Sequence, residues 1–170
     1  MLPKSCLAKT VRSLAKAMHK GALTNMIVRM ACETDFESWL PLWKGYQQFY
    51  KADISEKTTA ITWARFLDAS EPMHCAVAEV DKKIVGLVHY IQHRSCWTVG
   101  DYVYLQDLFV DTSARGHGVG RALIEFVYAK AEESGASRVW WLTHETNTDA
   151  MLLYDRIAEK SGFLQYRKLL

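Results

Sequence analysis

Three glycines on alternate positions, Gly116, Gly118 and Gly120, stand between Arg115 and Arg121 in the stretch VDTSARGHGVGRALIEFVYAKA (110–131), which then runs into a helical pattern. Without a Cβ, such a loop can take turns closed to other residues and can let a ligand lie against its N–H groups. The helix that follows leaves its first N–H groups unpaired and adds partial positive charge at the same end. Arginine matches phosphate oxygens with a fixed two-pronged geometry, so the flanks reinforce an anion site. A phosphate-bearing ligand follows from this pattern. A turn that only linked strand to helix would need one glycine, and three weaken a helix start. The nucleotide P-loop is excluded, because no Lys follows a glycine in the required way. The dinucleotide fingerprint fails as well, since Arg121 stands where its third glycine should be.

The 170 residues make one domain with room for a core, and 49% apolar against 24% charged residues is ordinary for a soluble protein. No apolar run reaches the roughly 18 residues of a membrane span. Cys6, Cys32, Cys75 and Cys96 are irregularly spaced, which suggests neither a zinc site nor a disulfide framework and fits a reducing compartment. The net charge of +2 hides an asymmetry: residues 1–25 carry Lys4, Lys9, Arg12, Lys16 and Lys20 and no acid, leaving 16 bases against 19 acids beyond them. A mildly acidic body disfavours nucleic acid as a partner. The leader is amphipathic, with Leu7, Val11, Leu14 and Met18 at helical spacing. It reads as an organelle transit peptide, as a tail, or as a segment bypassed by translation from Met26.

From Met26 onward the chain alternates. MIVRMA reads as a strand, and Thr34-x-x-Glu37 as a capping box opening a helix with Phe36, Trp39, Leu40, Trp43, Tyr46 and Tyr50 on one face and a bend at Pro41. A second helix runs over about Glu56–Leu67. Three antiparallel strands follow, HCAVAEV, KIVGLVHYIQ and DYVYLQDLFV, the first two joined by a tight turn at Asp81-Lys82-Lys83. The last of these enters the glycine loop and a helix ending near Ser134 and Gly135. SRVWWLT is a further strand, parallel to DYVYLQDLFV because a helix separates them. Asn147 or Thr148 caps a fourth helix that stops at Gly162, and FLQYRKL is a terminal strand.

The R/Q-x-x-G-x-G/A pattern in Arg115, Gly118 and Gly120, behind an apolar strand ending at Val110, resembles the pyrophosphate loop of the GNAT family of acyl-CoA N-acyltransferases. The element order extends the resemblance over Met26 to Leu170, and YVYLQDLFVDTSARGHGVG is most similar to the spermidine/spermine and related small acetyltransferases. The resemblance implies an α/β fold with a mixed, mostly antiparallel sheet of six to seven strands flanked by four helices. It implies acetyl-CoA as cosubstrate, held by Leu108, Phe109, Val110, Arg115, Gly116, His117, Gly118, Val119, Gly120, Arg121, Asn147 and Tyr154. A main-chain N–H between Leu105 and Val110 would receive the carbonyl oxygen, and Tyr154, seven residues after Asn147, would protonate the sulfur. Phenol, with a reference pKa near 10, is protonated at neutral pH and able to donate. Four residues are added between Tyr154 and Gly162 relative to many relatives.

How the amine is freed is open at this level. Relatives of the polyamine group often carry Glu where Gln106 stands, followed by an acid matching Asp107. Asp107, Glu79, His89, Glu145 or a water chain remain as routes for the proton, and Gln106, Asp107 and Glu145 as contacts for the acceptor. His89 and His93 share a strand face rather than a helix turn, so no metal is expected. The expected activity is acetyl transfer to a primary amine of a small, cationic acceptor, polyamine-like or amino-acid-like. The alternatives are a protein lysine as acceptor and a catalytically silent acyl-CoA sensor. A cytoplasmic protein is expected, or a mitochondrial one if residues 1–25 act as a transit peptide, with a homodimer as one assembly the resemblance allows.

Overall fold

The computed structural model describes residues 25–170. The basic leader expected over residues 1–25 therefore lies, but for its last residue, outside the described part.

Strand β1 (Met26–Met30) is followed by a short 3₁₀ turn and helix α1 (Phe36–Tyr50), then by α2 (Glu56–Leu67). Strands β2 (Met73–Val80), β3 (Lys83–His93) and β4 (Tyr102–Val110) form a meander, and α3 (Val119–Glu133), β5 (Arg138–Trp140) and α4 (Thr148–Ile157) complete the chain. The sheet order is β1-β2-β3-β4-β5, antiparallel up to β4 and parallel between β4 and β5. The turn between β2 and β3 places Asp81 and Lys82 at φ 48° and 66°, the left-handed pair that a tight two-residue hairpin needs.

Alternation along the strands builds two half-cores. Cys75, Val77 and Leu87 face Trp39, Leu42, Trp43, Trp63 and Phe66 of α1 and α2. Their neighbours Ala76, Ala78 and Val88 face Val119, Leu123, Ile124 and Val127 of α3 on the opposite side. Ser55 starts α2 by accepting the Thr58 N–H at 3.1 Å, and α1 ends where Lys51 turns left-handed at φ 53°. Pro41 is accommodated within α1, on its exposed side.

Several boundaries differ from expectation. The Thr34–Glu37 capping box does not form; the Asp35 carboxylate instead accepts the Cys32 N–H at 2.8 Å and anchors to Arg29 of β1 at 2.6 Å. The cap forms two residues earlier instead, between Cys32 and Asp35. The sheet has five strands rather than six or seven, because SRVWWLT pairs only over Arg138–Trp140 and FLQYRKL forms no strand. Helix α4 stops at Ile157, five residues before Gly162. After so short an edge strand, the terminal residues have no long ladder in their own chain to join.

Candidate active site

The glycine loop has the geometry its composition demands. Gly116 and Gly118 lie at φ 78° and 85°, in the left-handed region where a side chain costs roughly 1–2 kcal/mol. Gly118 is also the N-cap of α3, and no side chain caps that helix. The first helical bond runs from Ala122 N–H to Gly118 O at 3.0 Å, leaving the N–H groups of Val119, Gly120 and Arg121 without helical partners. Val119 itself is buried in the core, so only its backbone can serve the loop. Gly120 differs from its neighbours: a Cβ there would meet Leu153 and Val110 at an ordinary 3.8 Å.

The flanking arginines behave differently from one another. Arg115 folds back, its Nε donating to the Val110 carbonyl at 3.0 Å and its guanidinium lying 5.6 Å over the Phe109 ring. Arg121 pairs with Glu125 one turn along α3 at 3.4 Å. His117 is exposed between them.

Strand β4 breaks its pairing on both sides where it approaches this loop. Toward β5 it pairs only over Tyr102–Tyr104, so its backbone from Leu105 onward has no partner on that edge. Toward β3 the register jumps from Tyr90↔Leu105 to His89↔Asp107, leaving Gln106 as the extra residue of a bulge. Gln106 is accordingly exposed while Leu105 and Asp107 are both buried. Beyond the bulge Leu108 and Val110 pack toward α3, and Phe109 toward α1. There Gly45 makes room: a Cβ on it would sit 2.8 Å from the Phe109 ring.

Asp107 is 8% exposed and His89 2%. His89 Nδ1 lies 3.0 Å from Asp107 Oδ2, and the Tyr46 phenol lies within electrostatic reach of the same carboxylate. Burial, then the Asp107 charge, pushes the Tyr46 phenol well above its usual range, so that it stays a donor. Tyr46 is packed against Tyr50 with ring centroids 4.9 Å apart, and Tyr50 lies within electrostatic reach of Tyr154. Tyr154 is half-buried, edge-on to Trp141 at 5.4 Å, and burial, with Tyr50 adding, pushes its phenol up to about 12.

The remaining sequence candidates separate. Asn147 is the N-cap residue of α4; its amide donates to Thr143 Oγ1 at 3.1 Å, and it borders a groove of about 400 Å³ with Phe49, Tyr50, Lys51 and His144. Glu145 is exposed in the loop before α4. Glu79 is bound to Arg29 at 3.0 Å, which also holds Asp35, so it belongs to a structural ion-pair cluster away from Asp107. Trp140 donates to His93 Nε2 at 3.1 Å and stacks on Tyr104 at 4.4 Å. Sequence reasoning took Tyr46 and Tyr50 only as members of an apolar helix face. Their hydroxyls, one helical turn apart, were the available signal of a polar role.

A parallel pair, β4 and β5, that joins over three residues only, a bulge in β4 just beyond, and an uncapped helix start after a left-handed glycine set the architecture of this site. A family model described as Acetyltransferase (GNAT) family matches residues 31–158. D-amino-acid N-acetyltransferase HPA3 of Saccharomyces cerevisiae is 38% identical over 145 residues, covering 84% of this chain and 90% of its own. Thialysine N-epsilon-acetyltransferase of Mus musculus is 32% identical over 107 residues, 55% of this chain and 62% of its own. Among solved structures, the aminoglycoside N-acetyltransferase AAC(6')-Iy in complex with CoA superposes with a TM-score of 0.73 at 21% identity, over 85% of this chain and 95% of that one. The chain belongs to the GNAT family and is an N-acetyltransferase.

Proposed function

We propose that the protein moves the acetyl group of acetyl-CoA to a primary amine of a small, cationic acceptor, by direct attack in a ternary complex. One observation carries the acceptor class: Asp107 is a buried carboxylate whose ring partner is His89, and among the described residues no Lys or Arg pairs with it. A charge removed from water without a cation is costly, and a cationic ligand relieves that cost. The names of the relatives, which specify D-amino acids and thialysine, support a small amine acceptor.

The chain's own residues fit acetyl-CoA, which when bound supplies the activated acyl group. Gly116 and Gly118 leave open space above a left-handed backbone at the uncapped start of α3, a seat for phosphate. The unpaired edge of β4 beyond Tyr104 offers main-chain N–H groups to a carbonyl oxygen as it gains charge, an effect of about 3 kcal/mol per donor. Asp107 binds the acceptor's ammonium and takes its proton, directly or through water. Tyr154 faces the departing sulfur as a donor.

The test is acceptor kinetics. A carboxylate–ammonium contact is worth about 1.5–3 kcal/mol, so Asp107→Asn should raise the KM of a diamine about ten- to a hundredfold. An amino acid, whose own carboxylate the Asp107 charge repels, should be affected far less, and acetyl-CoA KM should hold. Equal losses for both amines would remove the cationic preference.

A further inference from the structure

Asp107 is not left to its own flexibility; it is gripped from behind by a residue that never reaches the cleft. Trp39 of α1 is fully buried and donates its indole N–H to His89 Nε2 at 2.9 Å. An indole nitrogen is a donor only, so Nε2 must present its lone pair, and the ring hydrogen of His89 sits on Nδ1. From there it points at Asp107 Oδ2, 3.0 Å away. The imidazole is fixed in place by Phe66, Trp43 and Trp39, whose ring centroids stand 4.5, 5.1 and 5.8 Å from its own.

We propose that Trp39 and His89 form a tautomer clamp that positions Asp107 for the acceptor. The inference rests on the reading of Asp107 as the acceptor's seat. Its content is that His89 is a positioning residue and does not itself carry the acceptor's proton. With Nε2 occupied by the indole and Nδ1–H given to the carboxylate, neither ring nitrogen has a free lone pair to offer an incoming amine. The clamp also supplies a neutral donor where a cation would compete. A Lys or Arg at position 89 would satisfy Asp107 by charge and close it to an ammonium ligand. A neutral N–H orients the carboxylate and leaves its charge for the acceptor. A carboxylate accepts at about four sites, and His89 occupies one of them. The cross-strand register makes this possible: the bulge at Gln106 sets Asp107 directly opposite His89 and turns it to the α1 side, which His89 already faces by the alternation of β3. Without that extra residue the strand's alternation would send position 107 to the α3 side.

The tautomer can be read directly on the parent protein, without acceptor, by nitrogen-15 NMR of the histidine rings. His89 assigned by its absence in His89→Phe should show a protonated Nδ1 and an unprotonated Nε2 at neutral pH. A protonated Nε2 would overturn the clamp whatever the acceptor proves to be. Kinetics supply the second arm. His89→Phe should raise the diamine KM about tenfold while acetyl-CoA KM stays at the parent value. His89→Asn places an amide N–H where Nδ1–H stood but strands the indole donor. Combined with Trp39→Phe, which has no N–H to satisfy, it should restore most of the diamine KM. A double variant that is folded by circular dichroism yet no better than His89→Phe would reduce His89 to a packing residue. The seat itself is tested separately: an Asp107→Asn variant with parental diamine KM would overturn the acceptor reading even where the tautomer is as proposed.

Discussion

Tyr154 shows how environment assigns a role at the residue scale. With its phenol pushed up to about 12, it is neutral throughout the working range and always able to donate. An alkyl thiol has a reference value of about 8.5, so the phenol is the weaker acid and helps the departing sulfur by hydrogen bonding as charge develops, more than by handing its proton over outright. Tyr154→Phe keeps the ring against Trp141 and deletes only that donor. Its kcat should fall about a hundredfold, with acetyl-CoA KM little changed. The sign of the pH effect follows from the raised value. The active form is the protonated one, so activity controlled by Tyr154 is kept as pH rises through 10 and lost only near 12. Any alkaline decline of the parent below about pH 11 should therefore survive in the Phe variant, and kcat profiles of both proteins check this. Unchanged turnover would take Tyr154 out of the chemistry, whereas a decline near pH 9–10 that vanishes with the hydroxyl would show that Tyr154 acts but that its phenol is not raised.

At the scale of elements, the glycine loop separates positions that the sequence presents as equivalent. Gly118 needs its left-handed φ of 85°, whereas Gly120 lies inside α3 with space for a methyl group. Gly118→Val should lower stability by about 1–3 kcal/mol through backbone strain and raise acetyl-CoA KM at least about tenfold, because the helix start is displaced. Gly120→Ala should hold or raise Tm, since alanine is about 1 kcal/mol the better helix former. Thermal melts and acetyl-CoA titrations of the pair distinguish a loop shaped for a ligand from a mere linker. If Gly118→Val binds CoA as tightly as the parent, the diphosphate sits elsewhere. The β4 bulge acts at the same scale: one extra residue exposes Gln106, buries Asp107, and lies just past the point where the strand parts from β5.

On the scale of the whole molecule, the unfinished feature is the far edge of the sheet. Strand β5 is three residues long, and residues 163–170 run past it as exposed chain with Phe163, Leu164, Tyr166 and Leu169 each at least 75% accessible. Contiguous exposed apolar side chains beside an unpaired strand edge are features of association surfaces. We expect the protein to be a homodimer that covers this face, and deletion of residues 163–170 to shift it to monomer. Sedimentation of both forms measures this. A parent that stays monomeric at tens of micromolar would show that the tail is not an interface.

The sequence by itself determined the parts whose signals are local. Gly118 and its neighbours announced a helix start shaped for an anion, the Asp81-Lys82-Lys83 turn announced the hairpin, and the runs HCAVAEV and KIVGLVHYIQ announced the strands it joins. These follow from backbone conformation and side-chain period, which a short stretch of chain carries within itself. Tertiary structure alone decided which of the candidate proton acceptors meet the cleft. Glu79 and His89 read alike as polar residues on strands, yet Arg29 takes the first and Trp39 the second, through partners 50 residues away in each case. The terminal strand failed for the same reason in reverse: FLQYRKL has the right pattern, but a strand exists only where an edge of matching length receives it, and β5 provides three residues. A pattern shows what a segment can pair with. Whether it pairs depends on what the rest of the chain brings within hydrogen-bond reach.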